Sequence, residues 1–374
     1  MRIGVTIALV AVTCISIACQ AAPASKPAAP AAGAAAPAGT SGAATAAPAA
    51  QVAAPTAAVA AVPTAPRPLT QVVQALPSRD FGYLPTTVTL SKGFFAEEGL
   101  EVEQPVMVSS AAIPALTNKE IQFATAGSGV RAAYQGAPLR GIFYQFNKTT
   151  FIATGTSEVK SYRDLPGKII AVAAPGSSED LASKLVLRRE GIPLTDVQIL
   201  PMGQGPQRAQ AMLGGLVQFS MLNPDLAVEV ERQGGTILGH MRDLMPIPWA
   251  GWAMHQDVLR EQPELAKAWL RASVRGLRFV QQNPAEAGEI AVRELQLDPA
   301  LVGRALELLL PAIGEDDPGG WTDAGLTMAV QLDSESVEIS GDPGEVGRRV
   351  HDVTLLRTVQ RELGIVCRQG AQCQ

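Results

Sequence analysis

From Leu69 onward, short apolar runs alternate with stretches of helical period. Leu69–Leu76 reads as a first strand. Pro85 can open a helix without losing a needed N–H, and Gly93 can close it in the left-handed region. Phe94 and Phe95 then anchor the chain and Glu97-Glu98-Gly99 turns it. Leu100 and Val102 alternate with Glu101 and Glu103 as a half-exposed strand, and the acidic residues of this stretch are expected to face water. A helix at Ala111–Asn118, a strand at Ile121–Thr125, the small-residue loop Ala126-Gly127-Ser128-Gly129, a helix at Val130–Gln135 and a strand at Leu139–Phe146 complete a first unit.

A second unit opens near Val159. Lys168–Ala174 has the continuous apolar character of a buried strand. Ser177 with Asp180 three residues on has the form of a capping box, so a helix should run to Glu190 and stop at Gly191. Strands at Val197–Leu200, Val217–Met221 and Thr236–Leu238 alternate with helices at Gln207–Leu213 and Asp225–Gln233. Such alternation predicts an α/β fold with open parallel sheets. From Pro263 the pattern is helical, at Pro263–Gln282, Pro284–Leu295 and Pro299–Leu310. After a turn at Asp317–Gly320, one or two more helices fall in Asp342–Leu363.

Length and charge bound the rest. A chain of 374 residues admits one large or two modest domains. The net charge of −5 is spread without a basic stripe, which argues against a nucleic-acid partner. Residues 1–18 have the order of a signal peptide: Met1-Arg2, then the apolar run Ile3–Ile17, too short to span a bilayer comfortably. Ser16-Ile17-Ala18-Cys19 resembles the lipobox of bacterial lipoproteins, with Ser16 where Leu is usual. Acylation of Cys19 is favoured over plain secretion or an uncleaved anchor. Up to residue 68 the chain is then nearly all Ala, Pro, Gly, Ser and Thr. Proline interrupts any Ala helix and large apolar groups are too few for a core, so residues 19–68 are expected as a disordered tether, reaching about 40 Å as a coil.

Cleavage before Cys19 would discard Cys14, leaving Cys367 and Cys373. Two thiols six positions apart fit a disulfide that clips the tail in an oxidising compartment; a metal pair is the rival, with no His close in sequence. Enzyme signals are weak. His240, His255 and His351 are widely separated, with no helical His pair and no Cys beside them. Gly203-Gln204-Gly205 lacks the dinucleotide-binding continuation, and the surroundings of Ser128 fail as a nucleophile elbow. No catalytic residue, metal or cofactor is expected.

Five segments occur in order: ALPSRDFGYLPTTVTLSKGFFAEEGLEVE, ALTNKEIQFATAGSG, VKSYRDLPGKIIAVAAPGSSEDLASKLVLRREGI, RAQAMLGGLVQFSMLNPDLAVEVERQGGTIL and ASVRGLRFVQQNPAEAGEIAV. Together they resemble the type II periplasmic solute-binding proteins of ABC importers, in the branch that includes nitrate, alkanesulfonate, taurine and thiamine-precursor pyrimidine binders. The resemblance covers about Leu69–Leu332. Gly93–Glu103 matches the family's GxFxxEGLxVE unit, and Asp164-Leu165-Pro166-Gly167-Lys168 matches the opening of its second lobe. Gly215-Leu216-Val217-Gln218-Phe219 departs from the usual Gly-x-Val-Asp-Ala, which weakens the ligand inference more than the fold inference. The resemblance implies two α/β lobes with a ligand cleft between them. Lobe 1 would comprise residues 69–155 and 251–374, the latter with a C-terminal helical tail, and lobe 2 residues 156–250. The crossovers would fall near Phe151–Val159 and Trp249–Met254.

Ligands in such folds lie outside the carboxyl ends of strands. That rule selects Ser78, Tyr83 and Thr86 after the first strand, with Tyr83 equally suited to plain lobe packing. Ser109 and Ser110 follow the second strand, where an N-cap is the simpler role. Gly127-Ser128-Gly129 offers backbone N–H groups and a hydroxyl at a helix start. Gly176-Ser177-Ser178 is the matching loop of lobe 2, although Glu179 and Asp180 already oppose its helix dipole and make a dianion unwelcome. Asn147 and Asn223 stand at strand ends, Asn223 also being a turn residue favoured before Pro. Trp249 and Trp252 flank the second crossover and serve either as cleft walls or as packing. The expected protein is a monomeric, lipid-anchored extracytoplasmic solute-binding protein. It would hand a neutral or weakly anionic ring-bearing molecule to the permease and ATPase of an ABC transporter. A ligand-sensing subunit of a membrane receptor is the alternative, and an enzyme of the thiamine-pyrimidine-synthase type a more distant one.

Overall fold

The computed structural model describes residues 68–368 together with Gly370 and Cys373. Up to residue 67, the segments expected as signal peptide and tether, with Cys19, lie outside the described residues. Ten strands run in chain order: β1 (Thr70–Val73), β2 (Leu100–Glu103), β3 (Ala124–Thr125), β4 (Leu139–Phe146), β5 (Ile152–Gly155), β6 (Ile169–Val172), β7 (Gln198–Pro201), β8 (Phe219–Leu222), β9 (Thr236–His240) and β10 (Trp249–His255). They form two sheets of one design. In the first, β1 pairs with β2, a parallel bridge from Gln74 to Phe123 joins β1 to the β3 segment, and β3-β10-β4 follow. In the second the order is β7-β6-β8-β5-β9.

Both sheets are mixed, and this corrects the parallel expectation. β10 runs antiparallel to β3 and β4, and β5 antiparallel to β8 and β9. Each reversed strand is the one that has just arrived from the other lobe. β5 follows β4 through residues 147–151, and β10 follows β9 through residues 241–248. The segments expected as crossovers are therefore strands, and the connections precede them. Ile152-Ala153-Thr154-Gly155 is buried at every position, so no alternation marked it as a strand. Where the second connection enters β10, Ala250 has a left-handed φ of +49°. Its carbonyl accepts a bond from Gln145 Nε2 at 3.1 Å.

The core of the first lobe gathers around Trp269 on the helix Pro263–Gln282. Phe123 stacks on it at 4.4 Å between ring centroids, Phe143 meets it edge-on at 5.5 Å, and its Nε1 donates to Gln74 Oε1 at 3.0 Å. Phe95 lies against the same ring, which fixes the helix Leu84–Ser91 and the short helix Phe94–Glu97 to the sheet. Gly93 and Gly99 take φ of +73° and +79°, the reversals that the sequence requires there. Glu97 and Glu98 do not simply face water. Glu98 accepts from Arg271 Nε at 2.8 Å and Glu97 from Arg275, so the acidic turn is tied to the long helix that carries Trp269.

The second lobe has no tryptophan hub. Phe219, Met221, Ile170, Val172, Leu181, Val186 and Met241 are all nearly or fully buried in its core. The helix Ser178–Glu190 begins as its capping signal demands, with Ser177 Oγ accepting from Asp180 N at 3.3 Å. The return bond differs from a capping box: Asp180 Oδ2 accepts from Gly176 N at 2.8 Å and from Lys184 Nζ at 2.7 Å. The C-terminal part adds helices Asp323–Asp333, Pro343–Arg349 and Thr354–Glu362. Asp333 pairs with Arg131 of the helix Ala126–Tyr134 at 2.7 Å, and Glu335 pairs with Arg188 of the helix Ser178–Glu190 at 2.8 Å. One short segment thus holds a helix from each lobe. Farther on, Asp317 is bound by Arg357 and Gln360, and Cys367 is joined to Cys373. Among the described residues no helix is long and apolar enough to cross a membrane.

Candidate functional site

A cavity of about 640 Å³ opens between the lobes, at the carboxyl ends of strands from both sheets. Its size is in the range of small-molecule sites. On the first lobe its wall begins with Pro77–Asp80 and the tight turn Phe81–Tyr83. Asp80 shapes this turn: Oδ1 accepts from Gly82 N at 2.8 Å and Oδ2 from Ser78 Oγ at 2.6 Å. A Cβ on Gly82 would lie 3.0 Å from Asp80 Oδ1 and 3.3 Å from Asn223 Nδ2, so glycine lets this turn approach the second lobe. Tyr83 lines the cavity and leans on Trp252 at 5.9 Å. Burial pushes its hydroxyl well above the usual tyrosine range, with Asp80 adding to the shift.

Gly127 and Ser128 face the cavity from the first turn of the helix Ala126–Tyr134, whose N-cap is Thr125. They are helical, not a loop in front of the helix. Ser109 also lines the cavity, its Oγ 2.8 Å from Ser128 Oγ. On the second lobe Ser178 and Asn223 line it, and Trp249 does so from the start of β10, opposite Phe146 in the first sheet. Asn223 N-caps the helix Pro224–Arg232 without spending its side chain on the cap, and Trp249 packs edge-on against Phe151 at 4.7 Å.

Seven sequence candidates are absent from the lining. Thr86 is buried, and both its N and Oγ1 donate to Gln145 Oε1 at 2.9 Å. Ser110 is exposed on its helix. Gly129 is needed for packing, since a Cβ there would lie 2.7 Å from the Ala253 Cβ. Asn147 turns toward Gly314. Gly176 and Ser177 serve the helix start described above. Trp252 is fully buried between Tyr83 and Trp269. Of the two tryptophans, one is wall and the other is core.

The lining also holds residues that the strand-end rule did not select. Asp225 stands in the first turn of the helix Pro224–Arg232, nearly buried, and its Oδ1 has no hydrogen-bond partner among the described residues. Burial, reinforced by the charge of Asp80 across the cleft, raises it to about 7. Burial raises Asp80 as well, against the pull of its Ser78 and Gly82 bonds. Arg208 is buried, and its Nη2 donates to Glu179 Oε1 at 3.0 Å while Nε donates to Ser220 Oγ at 3.2 Å. His351 also reaches this wall. Its Nδ1 donates to Gly347 O at 2.8 Å, which leaves Nε2 to accept from the Tyr144 hydroxyl at 2.8 Å. Burial lowers His351 to about 4, so the ring is neutral and both nitrogens are committed.

Two mixed sheets of the same order, each with one strand lent across a double connection and a cavity between them, define the two-lobe periplasmic-binding-protein fold. The chain belongs to the NMT1/THI5-like family, whose model matches residues 81–287. It is 28% identical over 269 residues to the riboflavin-binding protein RibY of Chloroflexus aurantiacus, covering 67% of this chain and 74% of that protein. Among solved structures, a putative periplasmic sulfonate-binding protein SsuA from Methylobacillus flagellatus KT is similar at TM-score 0.62 and 19% identity, covering 80% of this chain and 96% of that one. The periplasmic nitrate-binding protein NrtA from Synechocystis PCC 6803 is similar at TM-score 0.64 and 15% identity, covering 79% and 89%.

Proposed function

We propose that this protein is an extracytoplasmic solute-binding protein. It captures a small, ring-bearing organic molecule in the interlobe cavity and passes it to an ABC permease. The observation that carries this reading is the cavity itself, walled by Tyr83, Tyr144, Phe151 and Trp249 and edged by hydroxyls and amides, within a fold built for hinge closure. In this reading Ser78, Tyr83, Ser109, Gly127, Ser128, Ser178, Asn223 and Trp249 contact the ligand. The protein does no covalent chemistry, and the committed nitrogens of His351 support that. Cys19 would carry the lipid, with residues 19–68 as the leash that keeps the domain near the permease.

Riboflavin is the first candidate, because the curated relative is named for binding it and because a flat, uncharged ring system suits an aromatic wall. Sulfonate and nitrate, named in the fold neighbours, suit the cavity less well. Two of its three lining arginines are already neutralised, Arg131 by Asp333 and Arg208 by Glu179. Titration of the purified protein with riboflavin, read by flavin fluorescence and by thermal shift, should give saturable binding that Trp249→Ala weakens at least tenfold. No response to riboflavin or to any other heteroaromatic compound would reject the ring-ligand reading. A sensing role differs only in the partner, and copurification with permease or with receptor subunits separates the two.

A further inference from the structure

Once the Arg131–Asp333 and Arg208–Glu179 pairs are set aside, three charged groups of the cavity wall remain: Arg79, Asp80 and Asp225. Arg79 is exposed at the rim, donates from Nη2 to the Gln104 carbonyl at 2.8 Å, and forms no ion pair among the described residues. The two carboxylates come from opposite lobes, near the point where Gly82 approaches Asn223, and the charge of Asp80 acts on Asp225. Asp80 is largely satisfied by Ser78 and Gly82. Asp225 is met only by backbone N–H groups of its own turn, and its Oδ1 is buried with no partner among the described residues; an unmet buried acceptor is costly. Asn223 contributes a neutral amide at the same spot, Glu229 lies one turn along the same helix, and no cation among the described residues is paired with either aspartate.

We propose that Asp225, assisted by Asp80, is the specificity-determining group of the cavity. It accepts an N–H or O–H from a neutral ligand as the lobes close, and its negative field turns away anions such as sulfonates and nitrate. The ligand class is thus an uncharged molecule with donors on one edge, a heterocyclic amide or amine or a polyol. This rests on the solute-binding reading above. A donor from the ligand bonds the Asp225 carboxylate where it lines the cavity, a group whose Oδ1 has no partner among the described residues. An anion placed there meets two carboxylates instead of the usual open helix N-terminus.

The test uses anions as well as riboflavin, so that the two readings fail separately. Isothermal titration of hexanesulfonate and of nitrate is run at pH 8.5, where Asp225 is ionised, on the wild type and on Asp225→Asn, Asp80→Asn and the double variant, each first shown to melt cooperatively. The expected result is no measurable anion binding by the wild type, and at least a tenfold gain in sulfonate affinity in the double variant, where Arg79 and the helix N-terminus are no longer opposed. Sulfonate binding by the wild type, or no gain in any folded variant, overturns the proposal. If riboflavin binds, Asp225→Asn should weaken it at least tenfold; an unchanged riboflavin affinity in that folded variant would also overturn the proposal. Failure of riboflavin to bind, with the anion pattern intact, removes the flavin reading and leaves the anion filter standing.

Discussion

The two lobes share one strand order and differ in almost everything laid upon it. The first is organised around a single ring, Trp269, and presents to the cleft a helix start made of Ala126, Gly127 and Ser128, with no acid in its first turn. The second spreads its core over methionine and aliphatic side chains and presents two helix starts that carry Glu179, Asp180 and Asp225, and one, Gly205–Leu213, that carries no acid in its first turn. A helix N-terminus attracts negative charge. The first lobe leaves that attraction available to a ligand, and the second lobe uses it on its own carboxylates at two of its three helix starts at the cleft. Topology therefore brings helix ends to the cleft, whereas first-turn residues decide whether those ends ask for acceptors or for donors.

That contrast can be broken from either side. The largest effect is expected from Trp269→Ala, which should cost about 3–5 kcal/mol in chemical denaturation because the core of the first lobe converges on that one ring. The second lobe, with its distributed core, should show no single substitution of comparable weight. Gly82→Ala comes next: the added methyl meets Asp80 and Asn223 where the lobes touch, so ligand affinity should fall roughly tenfold, about 1.4 kcal/mol, with a smaller change in melting temperature.

The cleft acids make a pH prediction. Asp225 titrates near 7 when folded, against about 4 in an unfolded chain, so the folded protein holds a proton that the unfolded one has lost between those values. Its contribution makes stability fall as pH rises from about 4 to 7, then level off. His351, lowered to about 4, has the opposite slope and tends to raise stability between about 4 and 6.5. The difference between wild type and Asp225→Asn isolates the first. The variant should melt several degrees higher at pH 7.5, and the gap should close by pH 4. A constant gap would mean that Asp225 is not held in the protonated form by folding.

Two smaller effects probe the joints. Ala250→Gly should gain about 0.5–1 kcal/mol, since relief of the left-handed strain exceeds the entropy that glycine adds to the unfolded chain. Glu335→Ala removes an exposed ion pair with Arg188 and should cost no more than about 0.5 kcal/mol, seen best at low salt. Its effect on the opening of the lobes, read by small-angle scattering, should exceed its effect on stability.

Much of the fold was legible because its signals are local. Gly93, Gly99 and Gly191 mark reversals, Ser177 marks a helix start, and the strand-end rule led to Ser78, Ser128, Ser178 and Asn223. The two reversed strands were not legible, since β5 is short and buried throughout and β10 begins at residues that read equally well as a connection. At the cavity, the rule reached several of the lining segments but missed other side chains that line it from the same segments. Asp80 is two residues from Ser78, and Asp225 two from Asn223, yet the strand-end rule selects neither. Trp249 and Trp252 could not be told apart until strand pairing showed which one lay under Tyr83. Tyr144 and His351 meet across 207 positions, a distance over which no spacing in the sequence gives a hint.

That last contact has a consequence for how the molecule is made. Tyr144 is already in place in the first half of the chain, but the ring that fixes its hydroxyl arrives with residue 351. A nascent polypeptide emerging N-terminus first could close both sheets by β10 and still have an unfinished cavity. The wall would be set only when the helix Pro343–Arg349 and the residues after it fold back. Competence to hold a solute would then lag behind acquisition of the fold, so a partly synthesised or clipped chain would look native to circular dichroism and yet come away empty.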